Sequence, residues 1–355
     1  MNNPNIALVL LTSLTISSTL DIGCQKLVKA EPINQVQQHI TDQISSSTWQ
    51  EITDGYQPKA PYNPKDYYQY LDQKIKVYLS QKGDIHAKNQ EGFTVLMGAV
   101  LAGDKAVVEQ LITKGADHTA TDKSGNTVLH YAAIGGNPEI FSFLLAKGAD
   151  IKTKGENGAT VLHAAALGGN REIVQLLIVR GLDVNAKTET GVSVLHGAVS
   201  FASLSGKDII ELLIAKGADI NSKNNEGNSV LHSAAAKAKK DVIEYLIVKG
   251  ANINAKTNKG DTPLMIAVTK GNHQAIEILL ASQADINAPN NSGFTALHKA
   301  VVIGNVTVVK MLIAKGADIN VSTPDGITPL SLAMQIQQQD IIDILRNHGA
   351  KEEGL

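Results

Sequence analysis

A glycine recurs at almost constant spacing along about three-quarters of this 355-residue chain. The successive steps between these glycines are 33, 33, 33, 36, 33, 33 and 33 residues. A period of about 20–50 residues is typical of solenoids, in which each unit buries its apolar face only against its neighbours. We therefore expect one stack of small units. The recurring glycines are Gly92, Gly125, Gly158, Gly191, Gly227, Gly260, Gly293 and Gly326.

Each repeating unit is predicted to contain two short helices followed by an extended finger, as the segment 158–187 illustrates. Gly158 turns the chain, and Thr160 supplies an N-cap oxygen for the first helix. Gly181 ends the second helix, and residues 182–187 run out toward the next turn. The second helix has an apolar stripe at helical spacing, formed by Ile173, Val174, Leu176 and Leu177.

The units share the pattern Gly-x-Thr-x-Leu-His-x-Ala, then Gly-Asn, then Leu-Leu-(x)3-Gly-Ala-Asp-Ile-Asn-Ala, which resembles the ankyrin repeat. The resemblance implies an all-α solenoid of stacked helix-turn-helix repeats with short β-hairpin-like fingers. It implies eight repeats over about 85–350, after an N-terminal capping helix at 66–82 and before a tail at 351–355. The Thr/Ser-x-Leu-His matches lie at 127–130, 160–163, 193–196, 229–232 and 295–298.

The first thirty residues are predicted to be an export signal. Residues 6–20 are uncharged and mostly apolar. A helix of this length spans about 22 Å, short of the ~30 Å hydrocarbon core of a membrane, so a signal peptide fits better than a membrane span. Two processing sites stay open: Cys24 would be lipidated in a lipoprotein, or ordinary cleavage would follow Ala30.

Residues 31–65 are predicted to form a tether. Ile33, Val36, Ile40 and Ile44 have the spacing of a short amphipathic helix, and prolines follow it. The only tryptophan, Trp49, and six of the eight tyrosines lie between 49 and 78. This aromatic segment either docks on the stack or stays mobile.

The composition argues against several function classes. The chain has 32 basic and 34 acidic residues, so it lacks the basic excess of a nucleic-acid-binding protein. Its single cysteine excludes an intramolecular disulfide and a thiolate metal site. The sequence contains no nucleophile elbow, P-loop, dinucleotide fingerprint or HExxH motif. We therefore expect neither an enzyme nor a protein with a cofactor or a metal.

Two repeated polar residues invite a site interpretation. The repeated histidines are expected to hydrogen-bond to the backbone or to a neighbouring turn, because equivalent positions about 8–10 Å apart cannot converge on one zinc ion. The repeated aspartates of the Gly-Ala-Asp turn are expected to bond to their local backbone. The aspartates are Asp117, Asp150, Asp183, Asp219, Asp285 and Asp318.

The candidate binding residues lie where the repeats vary. The resemblance implies protein binding along the finger tips and the concave helical face. The tips are polar, and one column on the first helix contains Tyr131, Ile266 and Lys299. Tyr131 is the only aromatic residue of that column. It is either the best single anchor for a partner or a packing residue against the next helix.

The 36-residue step places three extra residues within 200–205. Phe201 and Leu204 are either pushed into solvent as a contact site or used to cover a gap between adjacent units. The lysine-rich segment 237–240 is either a solvated surface or a contact for an acidic partner.

The sequence therefore predicts a non-catalytic protein-protein interaction scaffold, monomeric and attached to a membrane only through its N-terminus, if at all. The signal-like start and the Lys, Asn and Ile usage favour a bacterial protein that is exported as a periplasmic, membrane-anchored or secreted form. The alternatives are a secreted or surface factor that binds a host protein, a structural spacer with 31–65 as the functional part, and a cytoplasmic protein with an uncleaved N-terminal segment.

Overall fold

The computed structural model describes residues 49–56, 64–200 and 206–351. These residues form eighteen α-helices and no β-sheet, so the prediction of an all-α solenoid is confirmed. The predictions for the export signal, for Cys24 and for the short amphipathic helix with Ile33, Val36, Ile40 and Ile44 lie outside the described residues, as do those for Phe201 and Leu204. The chain divides into two compact units, Met1–Thr190 and Gly191–Leu355, which we call unit 1 and unit 2.

Unit 1 begins with two helices that precede the repeats and continues with three helix pairs. Its described helices are α1 (Trp49–Asp54), α2 (Pro64–Ser80), α3 (Val95–Ala102), α4 (Lys105–Thr113), α5 (Val128–Gly135), α6 (Pro138–Ala146), α7 (Val161–Gly168) and α8 (Arg171–Val179).

Unit 2 contains five helix pairs within its described residues. They are α9 (Val194–Ser200), α10 (Lys207–Ala215), α11 (Val230–Lys237), α12 (Lys240–Val248), α13 (Pro263–Lys270), α14 (His273–Ala281), α15 (Ala296–Ile303), α16 (Val306–Ala314), α17 (Pro329–Gln335) and α18 (Gln339–Asn347).

The two helices of a pair differ in composition and therefore in burial. The first helix is short and mostly apolar; in α7, every residue from Val161 to Leu167 is buried. The second helix buries one side only, and in α8 that side is formed by Ile173, Val174 and Leu177. Consecutive first helices pack against each other. In unit 1, α3 packs on α5 and α5 on α7; in unit 2, α9, α11, α13, α15 and α17 pack in the same way, each on the next. This stacking forms the core of each unit.

The recurring glycines turn the chain between finger and first helix. All eight have a φ between +73° and +82°, the left-handed region that residues with a Cβ rarely adopt. Residues just before and after these turns pair in isolated antiparallel bridges, such as Lys88 with Thr94 and Lys223 with Ser229. The glycine period seen in the sequence is therefore the period of a backbone turn.

Helix α1 docks on the first repeat, which settles for residues 49–56 the alternative that the sequence left open. Trp49 is buried, and its Nε1 donates to the carbonyl of Phe93 at 2.7 Å. The two rings stack with centroids 6.0 Å apart. Asn89 Nδ2 also donates to Thr53 Oγ1 at 3.2 Å. Part of the segment predicted as a tether is therefore built into unit 1.

Helix α2 lies beside α1, where the ring of Tyr78 is 6.1 Å from that of Trp49, and packs on the first helix of the first repeat. It buries Tyr67, Leu71, Ile75 and Tyr78, which lie on one face at helical spacing, and it packs on α3. Lys76 on the same helix pairs with Asp104, the N-cap of α4, at 2.7 Å. These contacts close the N-terminal end of the first repeat.

Candidate protein-binding surface

The repeated histidines close the N-terminal caps of the first helices. In α7, the backbone N–H of the N-cap Thr160 donates to Nδ1 of His163 at 3.2 Å. Because an amide N–H can only donate, Nδ1 accepts and the ring proton lies on Nε2. The same contact, at 3.1 to 3.3 Å, is made by His130, His196, His232 and His298.

The other ring nitrogen links a repeat to the next one. Nε2 of His232 donates to the carbonyl of Asp261 at 2.9 Å, and Nε2 of His298 donates to the carbonyl of Ile327 at 3.1 Å. Burial lowers the pKa of His232 to about 4. The prediction that these histidines bond to backbone and neighbouring turns is confirmed. Across the described ranges, no group of three or more His, Cys, Asp or Glu residues is placed to hold a metal ion.

The repeated aspartates also serve the fold. In each, Oδ1 accepts the backbone N–H of the residue two positions later, at 2.8 to 3.0 Å, as predicted. In unit 2, the finger tips bond to one another as well. The side-chain amide of Asn258 donates to the carbonyl of Asn225 at 2.8 Å, and that of Asn291 donates to the carbonyl of Asn258 at 2.9 Å. Many polar groups of the fingers therefore hold neighbouring repeats together.

The first-helix face of unit 1 is closed by its own residues. Trp49 covers Gly98, where an added Cβ would lie 2.7 Å from the indole Cη2. Tyr131 is only 2% exposed, and its ring meets that of Phe93 edge-on at 5.0 Å. Tyr131 is therefore buried against Phe93, which belongs to the preceding repeat, and its ring is not exposed.

Two glycines bring the first helices of unit 1 close together. A Cβ on Gly168, at the end of α7, would lie 2.2 Å from the carbonyl oxygen of Ala133. A Cβ on Gly135, at the end of α5, would lie 3.1 Å from the carbonyl oxygen of Leu101. Long side chains therefore have no room at these positions.

The position that Gly135 and Gly168 occupy at the end of the first helix carries long side chains in unit 2; we call this position the shared register. Lys237, Lys270 and Ile303 end α11, α13 and α15, and Ile336 directly follows α17, so the four residues are spaced by 33. All four are exposed; Ile303 is 44% exposed and Ile336 is 38% exposed. Val302, next to Ile303, is 52% exposed. Isolated exposed apolar side chains are ordinary, whereas a contiguous group of them is typical of an interaction site.

The predicted residues Ile266 and Lys299 lie beside this group. Ile266 is half-buried on α13. Lys299 is half-buried on α15, and its Nζ pairs with Oδ1 of Asp261 at 3.3 Å. We name the set Lys237, Ile266, Lys270, Lys299, Val302, Ile303 and Ile336 the open face of unit 2.

Sequence reasoning named Ile266, Lys299 and, within the segment 237–240, Lys237, but it missed the exposed apolar residues of the open face. It followed the column directly after the histidine, whereas Ile303 and Ile336 lie four positions later on the helix. The signal was present, because that later column changes from glycine at Gly135 and Gly168 to long side chains. Its meaning depends on how closely adjacent helices approach, which the repeat pattern alone does not give.

Comparison with known families agrees with this architecture. A family model described as ankyrin repeats (3 copies) matches residues 68–155, 152–224, 195–290 and 282–353. The chain belongs to the ankyrin repeat family. Ankyrin repeat proteins are generally non-catalytic modules that mediate protein-protein binding. A search of curated proteins found no match to this ankyrin protein.

Each repeat of this ankyrin stack uses its recurring polar residues internally, so the residues that distinguish one repeat from another are the ones left for recognition. Within residues 49–56, 64–200 and 206–351, no helix is long and apolar enough to cross a membrane.

Proposed function

We propose that this ankyrin protein is a monomeric, non-catalytic scaffold of eight repeats that binds another protein through the open face of unit 2. The observation that carries the proposal is the difference between the two units at one register. In unit 1 this position is occupied by Gly135 and Gly168, where adjacent helices leave no room for a long side chain. In unit 2 it is occupied by the exposed Ile303 and Ile336. An exposed apolar group with a charged border is typical of protein interaction sites.

Site-specific photo-cross-linking tests this proposal. A photoreactive amino acid in place of Ile303 should yield a discrete covalent adduct with a partner protein in cells of the native source. The same amino acid in place of Val248 is the control, because Val248 is 81% exposed but lies at the end of the second helix α12. Equal adducts at both positions, or none at position 303, would contradict a partner on the open face.

We also propose that the scaffold is exported. This proposal rests on the apolar run of residues 6–20 and on the two alternative candidate processing sites, lipidation at Cys24 or cleavage after Ala30. The mass of the mature N-terminus, measured together with membrane fractionation, separates the possibilities. A lipid-modified Cys24 would mean a membrane-anchored protein, and an unmodified start at Glu31 would mean a soluble exported one. An intact Met1 would remove the export proposal and direct the search for partners to the cytoplasm.

A further inference from the structure

The open face of unit 2 has two chemically different halves. Its first half, on α11 and α13, presents Lys237 and Lys270 at the shared register. Its second half presents Ile303 at the end of α15 and Ile336 directly after α17, with Val302 beside Ile303. All five side chains are exposed. A ligand lying across the four helices therefore meets positive charge first and apolar surface second.

No negative charge on these helices offsets the lysines. The sequences of α11, α13, α15 and α17 contain no Asp or Glu. Lys299 is paired with Asp261, but none of the ion pairs found in the described residues involves Lys237 or Lys270. This half therefore attracts an anionic group.

The spacing of the helices sets the length of the ligand. Packed helices lie about 8–10 Å apart, so the row from Lys237 to Ile336 spans about 24–30 Å. An extended peptide rises about 3.3 Å per residue. It therefore advances about three residues per helix and crosses the row in about eight to ten residues.

From this arrangement we infer that the partner segment is an extended peptide of about ten residues, acidic at one end and aliphatic or aromatic at the other. The acidic end lies over Lys237 and Lys270, and the apolar end covers Val302, Ile303 and Ile336. This inference rests on the proposed function and specifies its partner. A nucleic acid would satisfy the lysines but would leave the apolar half exposed to water.

Selection from a random peptide library tests the inference. Twelve-residue peptides displayed on phage are selected on the full chain, and a synthetic copy of the enriched sequence is labelled for fluorescence anisotropy. The enriched sequences should carry two or more Asp or Glu residues on one side of aliphatic or aromatic residues. Raising the salt concentration should weaken binding, because the acidic half binds through charge.

Three double variants locate the binding site. Lys237→Glu with Lys270→Glu, and Ile303→Ser with Ile336→Ser, should each weaken binding by about tenfold or more, which corresponds to about 1.4 kcal/mol. The matched control is Val248→Ser with Lys315→Glu, which alters an exposed valine that ends α12 and an exposed lysine that directly follows α16. The control should stay within about twofold of the unaltered chain. Circular dichroism checks that all three variants fold.

The outcomes separate this inference from the proposed function. If the enriched peptides lack acidic residues, or none is enriched while the cross-link at position 303 persists, the partner chemistry is wrong and the scaffold function stands. Duplex DNA or anionic vesicles that bind more tightly than any peptide, and lose binding only in the lysine variant, would also overturn the inference. Absence of both peptide binding and the cross-link would overturn both.

Discussion

The hydroxyl of Tyr131 donates a hydrogen bond to Oδ2 of Asp122 at 2.5 Å, which joins the first helix of the second repeat to its own finger. Asp122 is 6% exposed, and its Oδ1 accepts the backbone N–H groups of Ser124 and Asn126. Burial, and then the charge of Asp122, raise the pKa of Tyr131 well above its ordinary value. The phenol therefore stays protonated and keeps donating to the buried carboxylate.

Tyr131→Phe should lower the free energy of unfolding by about 1–3 kcal/mol, because a buried carboxylate loses a donor. Urea denaturation followed by circular dichroism measures the change. Tyr245→Phe is the matched control, since it removes the same hydroxyl from a half-buried ring on α12, and it should cost less than about 0.5 kcal/mol. Equal losses in the two variants would mean that the Asp122 bond contributes nothing of its own.

The glycines at the ends of the first helices in unit 1 make a second, graded prediction. Gly168→Ala places a Cβ 2.2 Å from a backbone oxygen, and Gly135→Ala places one at 3.1 Å. Backbone cannot move aside as a flexible side chain can, so the first variant should lose more stability than the second, with about 1–3 kcal/mol expected for such overpacking.

Lys270→Ala is the control for this series, because it lies at the same register in unit 2 and is exposed. It should change the free energy of unfolding by less than about 0.5 kcal/mol. Thermal melting of the three variants gives the order. A Gly168→Ala variant as stable as Lys270→Ala would show that the first helices of unit 1 are not held together as closely as the structure indicates.

The sequence predicted the roles of residues that recur in every repeat, but it did not predict which of the varying residues are buried and which are exposed. The turn glycines, the histidines and the aspartates act within one repeat or between neighbours, so their period was sufficient evidence. Tyr131 and Ile266 occupy the same column, yet Tyr131 is buried, with the ring of Phe93 edge-on against it. Such contacts join residues far apart in sequence and have no period, so the repeat pattern could not distinguish a packing residue from an exposed one.

The buried histidines predict a loss of stability in mild acid. Burial lowers the pKa of His130 and His232 to about 4, from an ordinary value of 6.5. Between pH 6.5 and pH 4 these histidines bind protons in the unfolded chain but not in the folded chain. Their contribution to the free energy of unfolding is therefore fully present above pH 6.5 and is lost as the pH falls toward 4. At pH 5 each of the two histidines should lower the free energy of unfolding by about 2 kcal/mol.

Thermal melts at pH 7.5 and pH 5.0, at one ionic strength, check this prediction. The unaltered chain should melt at a clearly lower temperature at pH 5.0. His232→Gln, which cannot titrate, should be less stable at pH 7.5 but should lose less on acidification. His86→Gln, at an exposed position, should behave like the unaltered chain. An acid loss that is unchanged in His232→Gln would mean that other groups cause it.

The docking of α1 can be followed directly, because Trp49 is the only tryptophan of the chain. Its indole is 2% exposed, so the native emission should be blue-shifted and poorly quenched by acrylamide. In Gly98→Ala, the new Cβ would lie 2.7 Å from Cη2 of Trp49 and 3.2 Å from Cδ1 of Ile75. The indole should be displaced, with a red-shifted emission and stronger quenching.

Gly135→Ala adds the same methyl to the next first helix and should leave the emission unchanged. An unshifted spectrum in Gly98→Ala would mean that Trp49 does not rest on Gly98 and that the first-helix face of unit 1 is open to partners as well.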